Sequence, residues 1–330
     1  MPLKVGVIGT GWFSKKHADM LSKMDGVQVQ AICGSSVEKA ELMAKDYGAK
    51  SYGQLTEMLD KEKLDAVYIC VPPFAHGEIE QQLIERGIPF MVEKPLGVDV
   101  QTPKSIVDEV KKKSLITSVG YHFRYSQSVQ RLKEEMENHT IGLVSGSWMG
   151  SMPQVPWWRK QEGSGGQFIE QTTHIVDLVR YIAGEVEEVY AAFGNRVMKE
   201  KFDQVTVHDI GSVTMKLESG VVAQLSNTCI LPEGVSQVNM NYFTDQGMVT
   251  WQPGQVTISE PTSKVEKVFR SENPYLIENE AFLHAVRTGD TSRILSNYQD
   301  AYRTQIVTVS ALESAQSGLP IKIRGIEGQV

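Results

Sequence analysis

The amino-acid sequence predicts an α/β protein, with a doubly wound parallel sheet at the N-terminus and a following α+β domain built on a large, mostly antiparallel sheet. Three observations predict it. Short apolar runs alternate with amphipathic stretches about five times before residue 122. A glycine turn joins the first run to the first amphipathic stretch, and beyond Arg124 the texture shifts to a few helices and a long region of strand patterns. At 330 residues the chain exceeds what one core usually organises. The change in texture divides it into residues 1–122 and 123–330, with the last helix free to pack back on the first domain.

Val5-Gly6-Val7-Ile8 is the first strand, followed by a helical pattern from about Ser14 to Lys23. Val27 to Cys33 is the next strand, with a helix from Val37 to Tyr47 behind it. Ala66 to Val71 is closed by Pro72-Pro73 and followed by a helix from about His76 to Arg86. Pro89 to Val92 and Leu115 to Val119 complete the parallel set. Past Arg124 come one helix, a Trp- and Gly-rich connection from Pro156 to Gly166, and another helix. Val213 to Leu217 then alternates apolar with polar, Glu218-Ser219-Gly220 turns the chain, and Val221 to Leu225 returns. Such a sheet packs one face on helices and offers the other to a second subunit, so a homodimer or homotetramer is expected. Asn279 to Thr288 and Tyr298 to Ser317 read as helices, the latter stopped by Gly318 and Pro320.

Lys plus Arg number 33 against 40 Asp plus Glu, a net charge of −7 with no long run of either sign, which argues against nucleic acid as a partner. The three cysteines, Cys33, Cys70 and Cys229, are odd in number and widely spaced, which argues against a disulfide framework and a structural zinc. The N-terminus lacks a signal-peptide pattern and no apolar run reaches membrane-spanning length, so a cytoplasmic location without membrane attachment is expected.

Gly9-Thr10-Gly11-Trp12-Phe13-Ser14 follows the first strand and opens the first helix, the context a dinucleotide fingerprint requires. The first glycine permits the tight turn and the second lets backbone amides approach a pyrophosphate at the positive end of the helix. Ser14 replaces the third glycine with another small residue. At the end of the second strand, where an acidic residue normally reads the ribose hydroxyls, the chain has Gly34-Ser35-Ser36 with Lys39 one turn on. Two hydroxyls and an ammonium suit a 2′-phosphate, which predicts NADP(H) over NAD(H). A Ser-Ser pair is equally a helix N-cap, so both readings stay open.

These motifs, with Val71-Pro72-Pro73 and His76, Glu93-Lys94-Pro95 after the fourth predicted strand, and Gly165-Gly166 leading to His174, resemble the glucose-fructose oxidoreductase, inositol dehydrogenase and rhizopine catabolism family (Gfo/Idh/MocA) along nearly the whole chain. The resemblance implies a nicotinamide-dependent oxidoreductase acting on a secondary alcohol or ketone of a sugar, inositol or related polyol, without a metal. It implies that Lys94 lies beside the nicotinamide and bonds the reacting oxygen, where an ammonium favours developing negative charge. It makes His174 the proton acceptor, with Glu170 standing where relatives commonly place an Asp as its orienter. On the helix read after Gly166, Phe168, Thr172, Ile175, Val179 and Ile182 form a buried stripe, while Glu170, His174 and Asp177 share another face. Pro72, His76 and Glu93 are expected at the cofactor. Arg124, Trp158, Arg159 and Asp177 are expected at the substrate, with His122 nearby; aromatic faces and a bidentate cation suit a sugar ring. Two further readings remain on the same scaffold: a glycosidase that uses a retained nicotinamide transiently, and a non-enzymatic dinucleotide sensor.

Overall fold

Val5-Gly6-Val7-Ile8 and Ala66-Val67-Tyr68-Ile69 present apolar side chains to both faces, and only a sheet covered on both sides buries such strands. The computed structural model describes residues 1–269 and 273–323. In it these runs belong to a six-stranded sheet of β1 (Leu3–Ile8), β2 (Val27–Cys33), β3 (Lys50–Tyr52), β4 (Ala66–Ile69), β5 (Phe90–Val92) and β6 (Thr117–Val119). The spatial order is β3-β2-β1-β4-β5-β6 and every neighbouring pair is parallel. Helices α1 (Trp12–Leu21), α2 (Val37–Ala44), α3 (Leu55–Lys61), α4 (Glu78–Glu85) and α5 (Gln101–Lys113) carry the chain between strands. Parallel strands end on one edge, so the segments after β1, β2, β4 and β5 all emerge there, on either side of the point where strand order reverses. The apolar pattern gives no sign of β3, which is three residues long and begins Lys50-Ser51.

The second sheet has nine strands: β7 (Ile141–Met149), β8 (Val186–Gly194), β9 (Ile210–Leu217), β10 (Val222–Thr228), β11 (Gln237–Thr244), β12 (Met248–Gln252), β13 (Gln255–Ser259), β14 (Lys264–Val268) and β15 (Ile321–Lys322). All its neighbours are antiparallel except β7 and β10. With it go α6 (Gln127–Met136), α7 (Gln161–Ser164), α8 (Gln167–Glu170), α9 (Thr173–Ala183) and α10 (Met198–Lys201). Along β9, Val213, Met215 and Leu217 are buried while Ser212, Thr214 and Lys216 face outward. On that outer face Tyr190, Thr214, Gln224, Ser145, Asn241 and Thr250 line up in register across six strands, an uncharged polar band.

The chain falls into two compact units. The first holds Met1–Gly97, Gln101–Gly120 and Tyr275–Tyr302; the second holds Val98–Val100 and the described residues of Tyr121–Pro274 and from Arg303 onward. The sequence division at residues 122 and 123 leaves Tyr275–Tyr302 with the second domain. In the structure α11 (Pro274–Thr288) seats Phe282 and Leu283 in the first unit's core, among Val5, Val7, Leu21, Ile32 and Tyr68. The last helix, α12 (Tyr298–Ser317), begins in the first unit and continues in the second. Among the described residues no helix is long and apolar enough to cross a membrane.

Candidate active site

In the first unit the predicted cofactor residues follow the ends of β1, β2, β4 and β5. Gly9 has φ +108°, and a Cβ there would lie 2.2 Å from the Cys70 carbonyl oxygen, so no other residue fits the turn. Gly11 is the N-cap of α1; it has no side-chain capping bond, no acid follows in the first turn, and a Cβ on it would meet nothing within 4 Å. The Gly9 N–H is taken up by the Cys33 carbonyl at 2.8 Å, so Gly9 shapes the turn, while the helix start that follows, at Thr10, Gly11, Trp12 and Phe13, fits a dinucleotide pyrophosphate. Trp12 is 69% exposed beside it. Ser14 does what a third glycine would: it is fully buried, and its hydroxyl donates to the Cys70 carbonyl at 3.2 Å.

After β2, the N-cap reading of the serines is realised. Ser36 is the N-cap of α2, its hydroxyl accepting from the Lys39 amide, while the Lys39 ammonium donates to the Ser35 hydroxyl at 3.3 Å on the exposed surface. Glu38, also exposed, is held below its ordinary carboxylate range by hydrogen bonds from the Ser36 hydroxyl and its own backbone amide.

After β4, Pro72 precedes a short turn at Pro73–Ala75. His76 is closed off from solvent: its Nδ1 lies 2.6 Å from Glu80 Oε1, and Gly77 N–H donates to the other oxygen of that fully buried carboxylate. After β5, Lys94 is 9% exposed. The Glu93 side chain is 6% exposed and turned inward, with Oε1 2.9 Å from Nε2 of His17. His17 Nδ1 in turn lies 3.0 Å from Oδ1 of Asn279. Neither His17 nor Asn279 stands out in the sequence, because a histidine in α1 and an asparagine 262 residues later have no local pattern to join them.

In the second unit, the single helix expected after Gly166 is two. Gln171 and Thr172 separate α8 from α9, and α9 is buried over Thr173–Arg180 rather than along one stripe. Gly184, at φ +109°, caps its end. Glu170, the last residue of α8, accepts from the Trp158 indole N–H at 2.8 Å. His174 is 5% exposed within a cage of rings: Trp148 stacked at 5.7 Å and 18°, His122 edge-on at 4.8 Å, and Phe123 and Tyr121 at 5.2 and 6.0 Å. Burial pushes the Tyr121 phenol up, and its oxygen lies 2.9 Å from that of Thr173. Sequence reading misses Trp148, Phe123 and Tyr121 of this cage; for Trp148 the reason is that Gly142, Ser145, Gly146 and Ser147 hide the strand β7 that carries it.

The four residues expected at the substrate all have partners within the second unit. Arg124 Nε and Nη2 donate to the two Asp177 oxygens at 2.7 and 2.6 Å, a bidentate pair that is almost wholly buried. Thr304 donates to Asp177 at 3.0 Å, and Arg180 to Thr304 at 2.6 Å. Trp158 sits in a small core with Met152, Met198, Val205, Val207 and Cys229, and the Arg159 guanidinium lies 4.0 Å from the Phe202 ring centroid.

Residues 3–121 match the model of an oxidoreductase family with an NAD-binding Rossmann fold, and residues 129–250 match a GFO/IDH/MocA C-terminal domain. The chain is 25% identical to a myo-inositol 2-dehydrogenase of Thermotoga maritima over 99% of this chain and 100% of that protein. It is 23% identical to a scyllo-inositol 2-dehydrogenase (NAD(+)) of Bacillus subtilis, over 97% and 96% of the two chains. An oxidoreductase from Agrobacterium radiobacter, solved with NAD+, L-tartaric acid and magnesium, shares the fold with a TM-score of 0.88 at 17% identity, covering 99% of this chain and 100% of that one.

Breaking the Arg124–Asp177 pair strands a buried charge. Asp177→Asn is expected to cost about 3–5 kcal/mol in urea unfolding; an unchanged midpoint would show that the pair carries no such load.

Proposed function

Because the chain belongs to the Gfo/Idh/MocA oxidoreductase family, we propose that it interconverts a secondary alcohol and a ketone on a sugar, inositol or related polyol, the bound nicotinamide supplying or accepting the hydride. One observation carries the reading: a nearly buried lysine, Lys94, lies two residues past β5 on the strand-end edge that also bears the glycine turn. Lys94 stabilises negative charge on the reacting oxygen. Its ammonium is worth most there because the group is largely withdrawn from water.

His174 exchanges the hydroxyl proton. The aromatic cage supports this by fixing the imidazole plane, so that the ring does not have to be ordered at the moment of transfer. Glu170 assists as an orienter whose own carboxylate is set by Trp158. Arg124 and Asp177 act by holding the first residues after β6 to α9 rather than by touching substrate. Neither the glycosidase nor the sensor reading has an observation in its favour.

For the cofactor, Ser35 and Lys39 support NADP(H): a hydroxyl and an ammonium already paired on the surface beyond β2 suit a 2′-phosphate. For assembly, the uncharged outer band of the nine-stranded sheet supports pairing of two chains, since charge is what usually keeps such a face apart from its copy.

Lys94→Ala is expected to lower kcat by about 10²- to 10³-fold and His174→Ala by about 10²- to 10⁴-fold, with cofactor affinity little changed. Wild-type turnover in either variant would remove that residue from the mechanism. Calorimetry with the four nicotinamide cofactors is expected to show tighter binding of the phosphorylated pair, and Lys39→Glu to reverse the order; tighter binding of NADH and NAD+ by the wild type would overturn the cofactor reading. Light scattering is expected to give a mass of two or four chains, and a mass of one chain contradicts the pairing.

A further inference from the structure

Glu93 precedes Lys94 at the end of β5, and its carboxylate is buried. A buried carboxylate needs partners, because desolvation of an unpaired one costs several kcal/mol. His17 supplies one from α1, at 2.9 Å, and is itself fully buried and held at its other nitrogen by Asn279 of α11, at 3.0 Å. Backbone bonds tie the same place from both sides: Glu93 N–H donates to Ile69 at 2.8 Å, and Gly120 N–H to Val92 at 2.9 Å. Gly120 also makes room for the carboxylate, since a Cβ there would lie 2.7 Å from Glu93 Oε2. Charged groups crowd the same region: Glu278 is fully buried one residue before Asn279, and the Lys16 ammonium lies over the Tyr275 ring, its pKa lowered by burial.

We propose that His17 and Asn279 are positioning residues for Lys94: they clamp the Glu93 carboxylate, which fixes the backbone of the next residue and so the placement of its ammonium. This rests on the assignment of Lys94 above. It makes α11, which packs Phe282 and Leu283 into the core of the first unit, a part of the catalytic apparatus. The hydrogen bonds run through the interior of the first unit, so neither residue needs to touch cofactor or substrate.

The test compares full-length His17→Leu, His17→Gln, Asn279→Leu, Gly120→Ala and Lys94→Ala at saturating cofactor. His17→Leu and Asn279→Leu are expected to lower kcat by about 10- to 100-fold, the cost of a small misplacement of a catalytic group. The KM for the polyol and the Kd for the cofactor are expected to stay near wild type, which a general loosening of the fold would not leave untouched. His17→Gln, which keeps an N–H for Glu93, is expected to recover most of the loss, and the His17→Leu/Asn279→Leu double variant to cost little more than either single change. Should His17→Leu not fold, Gly120→Ala displaces the same carboxylate from the other side and is expected to show the same fall in kcat. Wild-type kcat in a folded His17→Leu or Gly120→Ala protein overturns the proposal, as does a loss confined to cofactor affinity. If Lys94→Ala itself runs at wild-type rate, the assignment of Lys94 fails and the positioning role with it; if Lys94→Ala is slow and His17→Leu is not, only the positioning role fails.

Discussion

A carboxylate placed at the end of a buried strand must be met by a donor, and the first unit is organised around meeting the one on Glu93. β5 is only three residues long and fully buried, so Glu93 has little backbone freedom of its own. His17 reaches it from α1, which is fixed at its start by the turn at Gly9 and by Ser14 bonded to the Cys70 carbonyl. Asn279 reaches His17 from α11, which is fixed by Phe282 and Leu283 in the core. The glycine turn and the lysine that follows Glu93 are therefore two ends of one packed arrangement, which is the ground for proposing that a cofactor seated on the first meets a lysine already placed. Preorganisation of this kind lowers a barrier because little is left to be ordered during the reaction.

The second unit meets its own constraint by a different device. His174 lies one residue into α9, just beyond the break that ends α8. Thr172 N-caps α9 without a side-chain bond, and packing holds the start of the helix in its stead. Trp148, His122 and Phe123 enclose the imidazole, and the Arg124–Asp177 pair locks the helix one turn further on. A bidentate pair this well buried contributes less to net stability than to geometry, because desolvation offsets most of the attraction while the fork fixes the orientation of both partners. Glu170, one methylene longer than the Asp common in relatives, is accommodated by the Trp158 indole, which takes up one of its oxygens.

Sequence pattern shows the parts of this protein in which chemistry is local. The glycine turn, the strands β1, β2, β4 and β5, the β9–β10 hairpin and α12 are each written in consecutive residues, as is Glu93-Lys94-Pro95. What pattern does not show is long-range or disguised. β7 is masked by its glycines and serines, although it lies at the centre of the second sheet and carries the ring stacked on His174. The break after Glu170 is invisible to a pattern with helical spacing on both sides of it. Arg124, Asp177, Trp158 and Arg159 read as substrate contacts in the sequence because polar and aromatic residues near such a site have that chemistry; sequence alone does not show that Arg124 and Asp177 pair in the interior, that Trp158 packs in a small core, or that Arg159 lies over Phe202. The His17–Glu93–Asn279 set joins positions 76 and 262 residues apart, and no periodicity reports a contact of that kind.

The most direct measurement of the central claim is isotope transfer. The wild-type protein would be incubated with oxidised cofactor and a panel of inositols and hexoses deuterated at their ring carbons, and the nicotinamide ring examined by mass spectrometry. Transfer of a single deuterium from one ring carbon to the nicotinamide, with the matching ketone formed in equal amount, is the result the account expects. Failure of deuterium to reach the bound cofactor from any member of the panel would contradict it.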